Sequence, residues 1–211
     1  MPALPPPVRT ALCALSLLVA GSVVAPVVPR AATPTLTAPD QQTLSRIEAT
    51  LNAITTLKAR FQQIAPDNAR TTGTAWLDRP GRMRFAYDKP SQLLLVANDG
   101  KVVFHDGELG QTTTIPLERT PLGLLLRPGL RFSGDVAVTG FDRSDGLIRV
   151  TLVRAASPGD GSLTLVFNQQ PLALRSWSVI DAQGRETHVD LFDVHLGVPV
   201  TADLFVPPAE D

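Results

Sequence analysis

Residues 93–106 read LLLVANDGKVVFHD. Asn98-Asp99-Gly100 marks a tight hairpin, because Asn or Asp followed by Gly accepts the positive φ that such turns require. The run before the turn is apolar on both faces of a strand: Leu94 and Val96 point one way, Leu93 and Leu95 the other. An open antiparallel sheet ordinarily keeps one face polar. The same doubling recurs at 146–154, with Leu147 and Val153 against Ile148, Val150 and Leu152. It recurs again at 172–180, with Leu172, Leu174 and Ile180 against Ala173, Trp177 and Val179. Part of the sheet is therefore covered on both sides or curled around an apolar interior.

Counting outward from this hairpin decides between the two. Leu57, Ala59 and Phe61 alternate with Lys58, Arg60 and Gln62, a period of two. Further strands are expected at 70–78, 82–87, 92–97, 101–106, 110–115, 135–142, 146–154, 161–168, 172–181 and 185–195. Their turns carry Asp106-Gly107, Asp145-Gly146, Asp160-Gly161 and Gln183-Gly184. That makes eleven strands on short links, read as an antiparallel meander. Two helices accompany them. Leu44, Ile47, Leu51 and Ile54 form one apolar stripe on a helix over 40–53, capped by Thr37 or Asp40 with Pro39 in its first turn. The segment LERTPLGLLLRPGLR (117–131) holds a short helix apolar almost all round, with Thr120 as cap and Pro128-Gly129 as stop. Two helices cannot cover eleven strands. The expected fold is mainly β (α+β), a curled sheet with helices as its lid and an apolar pocket inside.

Composition narrows the function. At 211 residues with 44 % apolar side chains, one domain with a full core fits comfortably. A net charge of −1 without blocks of like charge removes the electrostatic reason to expect nucleic acid as a partner. The first residues, MPALPPPVRT and an apolar run from Ala11 to Val28, have the layout of a secretory signal peptide over 1–32. Ala25, Ala31 and Ala32 are candidate cleavage points, and an uncleaved anchor is the alternative. The only cysteine, Cys13, follows Leu12 and has Thr10 three places back, which is not a lipidation signal. A mature chain without thiol has no disulfide framework. Residues 33–39 are read as a linker, 40–208 as the domain and 209–211 as a tail.

Catalytic patterns are missing from the sequence. His105, His188 and His195 form no metal-ligand spacing, and there is no nucleophile elbow or phosphate loop. His188 and Asp190 share a strand face, the spacing of a surface hydrogen bond more than of a catalytic dyad. No enzyme, metal or cofactor is expected. The remaining feature is WLDRPGRMRFAYDKP (76–90), where Arg79-Pro80-Gly81-Arg82 breaks an aromatic-rich run. It is either a plain hairpin with solvated arginines or a latch, since a guanidinium fork on a loop can donate to the carbonyls of the facing leucine-rich helix.

Several stretches in order resemble the LolA family of periplasmic lipoprotein carriers: LKARFQQ (57–63), GTAWLDRPGRMRFAYDKP (73–90), LLLVANDGKVVFHD (93–106), the leucine-rich insertion and FVPP (205–208). The resemblance covers about residues 40–208. It departs in the hairpin, where Phe104 and His105 stand in place of the usual tryptophan. It implies an incomplete eleven-stranded antiparallel β-barrel closed by short lid helices. It also implies a monomeric periplasmic carrier that takes triacylated lipoprotein cargo from an inner-membrane ABC releasing complex to an outer-membrane acceptor. Carried over residue by residue, it places the lid latch on Arg79. The lipid-binding wall falls on Trp76, Met83, Phe85, Leu95, Phe104, Leu122, Leu124 and Leu125. A lipid-binding or envelope-stress sensing module on the same half-barrel is the alternative, for which a second domain is expected. The related outer-membrane receptor is itself a lipoprotein, which Cys13 does not support.

Overall fold

The computed structural model describes residues 34–208. The leader read over 1–32, with Cys13, and the tail at 209–211 lie outside the described residues. Eleven strands form one antiparallel sheet. In chain order they are β1 (Thr56–Ile64), β2 (Arg70–Asp78), β3 (Arg82–Tyr87), β4 (Leu93–Asn98), β5 (Lys101–Asp106) and β6 (Gln111–Pro116). After a helical crossing come β7 (Val136–Ser144), β8 (Leu147–Arg154), β9 (Gly161–Asn168), β10 (Ala173–Asp181) and β11 (Glu186–Leu196). The hairpin turns read from sequence hold where positive φ is needed: Asp99 and Gly100 have φ of 48° and 72°, Asp145 and Gly146 of 53° and 73°.

The sheet is not the single meander expected. Its spatial order is β6-β5-β4-β3-β2-β1-β11-β10-β9-β8-β7, so β1 stands in the middle and pairs with both β2 and β11. Two meanders share that central strand, and the chain crosses from the β6 edge to the β7 edge through residues 117–135. The two edges do not pair, which leaves the barrel incomplete.

Curvature follows from one contact. Phe85 on β3 and Trp177 on β10 meet edge to face with ring centroids 6.0 Å apart. Four strand spacings would hold them about 19 Å apart in a flat sheet. The sheet is therefore rolled, with Phe61, Phe85, Leu165, Phe167, Trp177 and Leu191 in one core on its inner face. The strands apolar on both faces now have a reason. In β4 the inner face carries Leu95 and Ala97. The outer face carries Val96, which is buried where a carboxy-terminal 3₁₀ turn (Ala202–Phe205) packs on β3 and β4. Phe205 is fully buried there, and the Arg84 Nη1 donates to the Leu204 carbonyl at 3.0 Å. In β10 a register shift between Leu174 and Ser176 reverses the expected alternation, so Leu174 joins Trp177 in the core.

Helix α1 (Ala38–Ala53) plugs the interior with Leu44, Ile47 and Leu51, the stripe read from sequence. It starts two residues earlier than expected, taking Ala38 and Pro39 out of the linker. Thr37 is the cap: its backbone N–H donates to the Asp40 carboxylate at 3.0 Å, and the Asp40 N–H donates back to Thr37 Oγ1 at 3.4 Å. Helix α2 (Leu122–Leu126) follows a 3₁₀ turn at 117–119, and the Gly123 N–H donates to Thr120 Oγ1 at 3.3 Å.

Candidate functional site

A cleft of about 470 Å³ opens between the two arms of the sheet and the segment that carries α2. Met83, Phe85, Leu95 and Val102 wall it from β3, β4 and β5, and Trp177, Val179 and Val189 from β10 and β11. Leu122 covers it from α2, and Ile115 of the edge strand β6 stands at its margin. These side chains share the inner face because the pairing puts Phe85 opposite Leu95 and Trp177 opposite Val189. Tyr87 closes one side and donates from its hydroxyl to the Gln63 Oε1 at 2.8 Å. Burial pushes its phenol up to about 12. A polar lip of Arg119, Asp160, Asp181, Gln183 and Arg185 lies across the mouth, with Arg185 Nη2 paired to Asp181 at 2.8 Å.

Of the eight side chains expected to form the wall, Met83, Phe85, Leu95 and Leu122 line this cleft. Leu124 and Leu125 do not; both are buried in the core beneath α2. Phe104 lies on the inner side of β5 opposite Leu95, outside the cleft lining and partly exposed. The assignment of Trp76 is corrected. A loop of three residues, 79–81, pairs Asp78 with Arg82, Leu77 with Met83 and Trp76 with Arg84. Trp76 therefore shares the outer face with Arg84, and the Lys58 Nζ lies 5.9 Å from its ring centre. That pairing arithmetic was available in the sequence. Val102, Ile115, Trp177, Val179 and Val189 were not assigned to the wall, although Trp177 and Val179 belong to one of the strands apolar on both faces.

The corner residue sits where three segments meet. The Arg79 guanidinium donates from Nη1 to the carbonyl of Leu51, in the last turn of α1. Its Nη2 donates to the carbonyl of Arg127, directly after α2, at 3.2 Å. The Gly81 N–H adds a bond to the Leu126 carbonyl at 2.9 Å. The carboxy-terminal end of a helix carries partial negative charge, which favours a cation there; the Leu51 carbonyl also accepts from the Ile54 N–H at 3.2 Å. Arg79 has no carboxylate partner among the described residues, its Nε is buried without a partner, and desolvation lowers its pKa. The segment after α2 is also bound to α1 directly: Asn52 donates to the Leu130 carbonyl and accepts from its N–H, each at 2.9 Å.

His188 does more than pair with Asp190, 3.1 Å from its Nε2; its Nδ1 lies 2.9 Å from Ser178 Oγ. This row is on the outer face. Ser178 pairs with Thr164 on one side and His188 on the other, so the surrounding amides belong to the sheet ladders and none is free to hold an oxyanion.

A family model described as "Outer membrane lipoprotein carrier protein LolA" matches residues 52–208. An outer-membrane lipoprotein carrier protein of Pseudomonas aeruginosa strain PAO1 is 31 % identical over 191 residues, covering 82 % of this chain and 88 % of its own. A protein of the same name from Leptothrix cholodnii is 32 % identical over 164 residues, 72 % of this chain and 76 % of its own. The crystal structure of a LolA superfamily protein from Nitrosomonas europaea aligns with a TM-score of 0.43 at 11 % identity, covering 78 % of this chain and 97 % of that one.

Proposed function

The chain belongs to the LolA family of outer membrane lipoprotein carrier proteins, and from that membership we propose that it is a periplasmic carrier. Its cargo is lipoprotein whose acyl chains it shields between the inner and outer membranes. The observation that supports this reading is the cleft, walled by apolar side chains of both sheet arms and covered by a helix that Arg79, without a carboxylate partner among the described residues, ties down. Moving a methylene from water into such a site gains about 0.8 kcal/mol, so acyl chains cannot cross an aqueous compartment unshielded. The same gain makes release depend on a better apolar site downstream. A releasing complex in the inner membrane and an acceptor at the outer membrane are the partners this requires.

Arg79 acts as the latch of the empty state. Its bonds to carbonyls are worth roughly 1.5–3 kcal/mol each at most, and desolvation of the guanidinium offsets part of that. Acyl chains entering beneath α2 push the Arg127 carbonyl away, and the freed guanidinium is taken up by water.

The test uses residues 33–211, inner-membrane vesicles bearing radiolabelled triacylated lipoprotein, the releasing complex and ATP. Label is expected in a soluble complex with this protein, and then in outer-membrane vesicles. Arg79→Leu is expected to load but to discharge poorly, because closing α2 no longer helps expel the chains. A variant that discharges like the parent would refute the latch. Absence of any soluble complex would refute the carrier.

A further inference from the structure

The two edges of the sheet are treated differently. β7 is shielded: its pairing with β8 shifts register between Val138 and Gly140. It also carries Asp142 and Arg143, and Arg143 reaches α1 at Thr43 and Asp40. Bulges, charges and coverage are the usual protections of an edge strand against pairing with another chain. β6, QTTTIP, has none of them. It holds no charged residue, pairs with β5 without a register shift, and is exposed at every position but Thr112. Three threonines and an isoleucine favour extended backbone. Only Pro116, at its last position, limits pairing. Among the described residues no strand pairs with its free side.

We propose that the β6 edge binds the polypeptide of the cargo, taking the extended segment next to the acylated residue as a twelfth strand. This rests on the carrier reading, and deepens it by naming where the protein part of a lipoprotein sits. Three observations favour this occupant. Ile115 of β6 is itself part of the cleft margin, so a chain whose lipid fills the cleft emerges at this strand. Ile115, on the inner face beside the cleft, and Leu109 in the preceding turn are exposed and would be covered by an added strand. Two six-residue strands supply only part of the roughly 1,200–2,000 Å² of a stable interface, which disfavours a second copy of this chain. A lipid-tethered peptide needs far less, because the tether raises its effective concentration. Main-chain pairing is tolerant of side-chain identity, so it requires no particular cargo sequence.

Amide hydrogen exchange of residues 111–116 tests this. The probes are a triacylated cysteine amide without peptide, the same lipid bearing a short Ser/Thr-rich peptide, and that lipopeptide with its peptide N-methylated. Trp177 emission, in a Trp76→Phe background, reports whether the cleft is filled. Both lipid and lipopeptide are expected to change Trp177 emission, while only the lipopeptide slows exchange of the outward amides of β6, on the order of tenfold or more. The N-methylated probe is expected to bind no better than the lipid alone. A lipopeptide that fills the cleft and leaves β6 exchange unchanged overturns the proposal. So does slowing that follows protein concentration without any probe, which would assign the edge to self-pairing. If no probe changes Trp177 emission, the carrier reading itself fails and takes the inference with it.

Discussion

Single positions set the interior of the barrel. Gly73 is an example: a Cβ there would lie 2.6 Å from the Phe61 ring and 2.3 Å from the Ala86 carbonyl oxygen. Phe61 is fully buried, with the tilted Phe85 ring and the edge-on Tyr87 ring packed against it at centroid distances of 4.6 and 5.2 Å, so the ring cannot step aside freely. Gly73→Ala is expected to destabilise the fold by about 1–3 kcal/mol, the usual cost of overpacking. Urea denaturation checks it, and a change below about 0.5 kcal/mol would mean that the β2–β3 pair yields. Trp76, three residues on, shows the limit of residue-level reading. The resemblance places it on the lipid-binding wall, but parity across a three-residue loop sends it outward with Arg84. For Arg79 the sequence left a solvated hairpin arginine and a donor to the leucine-rich segment both open, and the bond to the Arg127 carbonyl is of the second kind. Its second acceptor, Leu51 of α1, was not legible, because no local pattern brings positions 28 residues apart together.

At the level of elements, local chemistry does most of the specifying. The Thr37–Asp40 capping box, the Leu44-Ile47-Leu51 stripe and the Asp-Gly turns are each written within a few residues, and the strands read from them fall close to those observed. What local chemistry leaves open is partnership. The β1–β11 pairing joins residues as far apart as Leu57 and Leu196, and no turn between them announces it. The register shift in β10 is equally silent, since Arg175 looks like an ordinary outward residue. The capping box gives a test at this scale. Thr37→Ala removes the oxygen that accepts from the Asp40 N–H and the hydroxyl that donates to its carboxylate at 2.6 Å. A loss of about 1 kcal/mol is expected from thermal or urea unfolding. The protein would be indifferent to the change only if α1 were held by its buried stripe alone.

Across the whole molecule, the outer face of the first meander is tied together by Asp88, which follows β3 directly. Its carboxylate accepts from Arg60 on β1, with one bond at 3.0 Å, and from Thr72 on β2 at 2.6 Å, while its backbone N–H donates to the Thr72 carbonyl at 2.9 Å. Arg60, and then Thr72, hold its pKa at about 2. The unfolded chain releases that proton near 3.9, so the folded state prefers the ionised form. The contribution is fully present above about pH 4 and disappears as the pH falls towards 2. Asp40, held low by the Thr37 hydroxyl, and Asp142, held low by Ser144, act in the same direction. Acid unfolding of this barrel is therefore a sum of several carboxylates: Asp88 ties β3 to β1 and β2, and Asp142 ties β7 to Arg149 of β8. Asp88→Asn is expected to lower stability at neutral pH and to flatten, without abolishing, the decline of unfolding free energy between pH 4 and pH 2. The two curves should converge at the acid end, where a protonated Asp88 and an asparagine differ little. Urea titrations at a series of pH values measure both slopes. Curves that stay parallel down to pH 2 would mean that the Arg60–Asp88 pair is as well solvated unfolded as folded, and that β1, β2 and β3 are held by their ladders and packing alone.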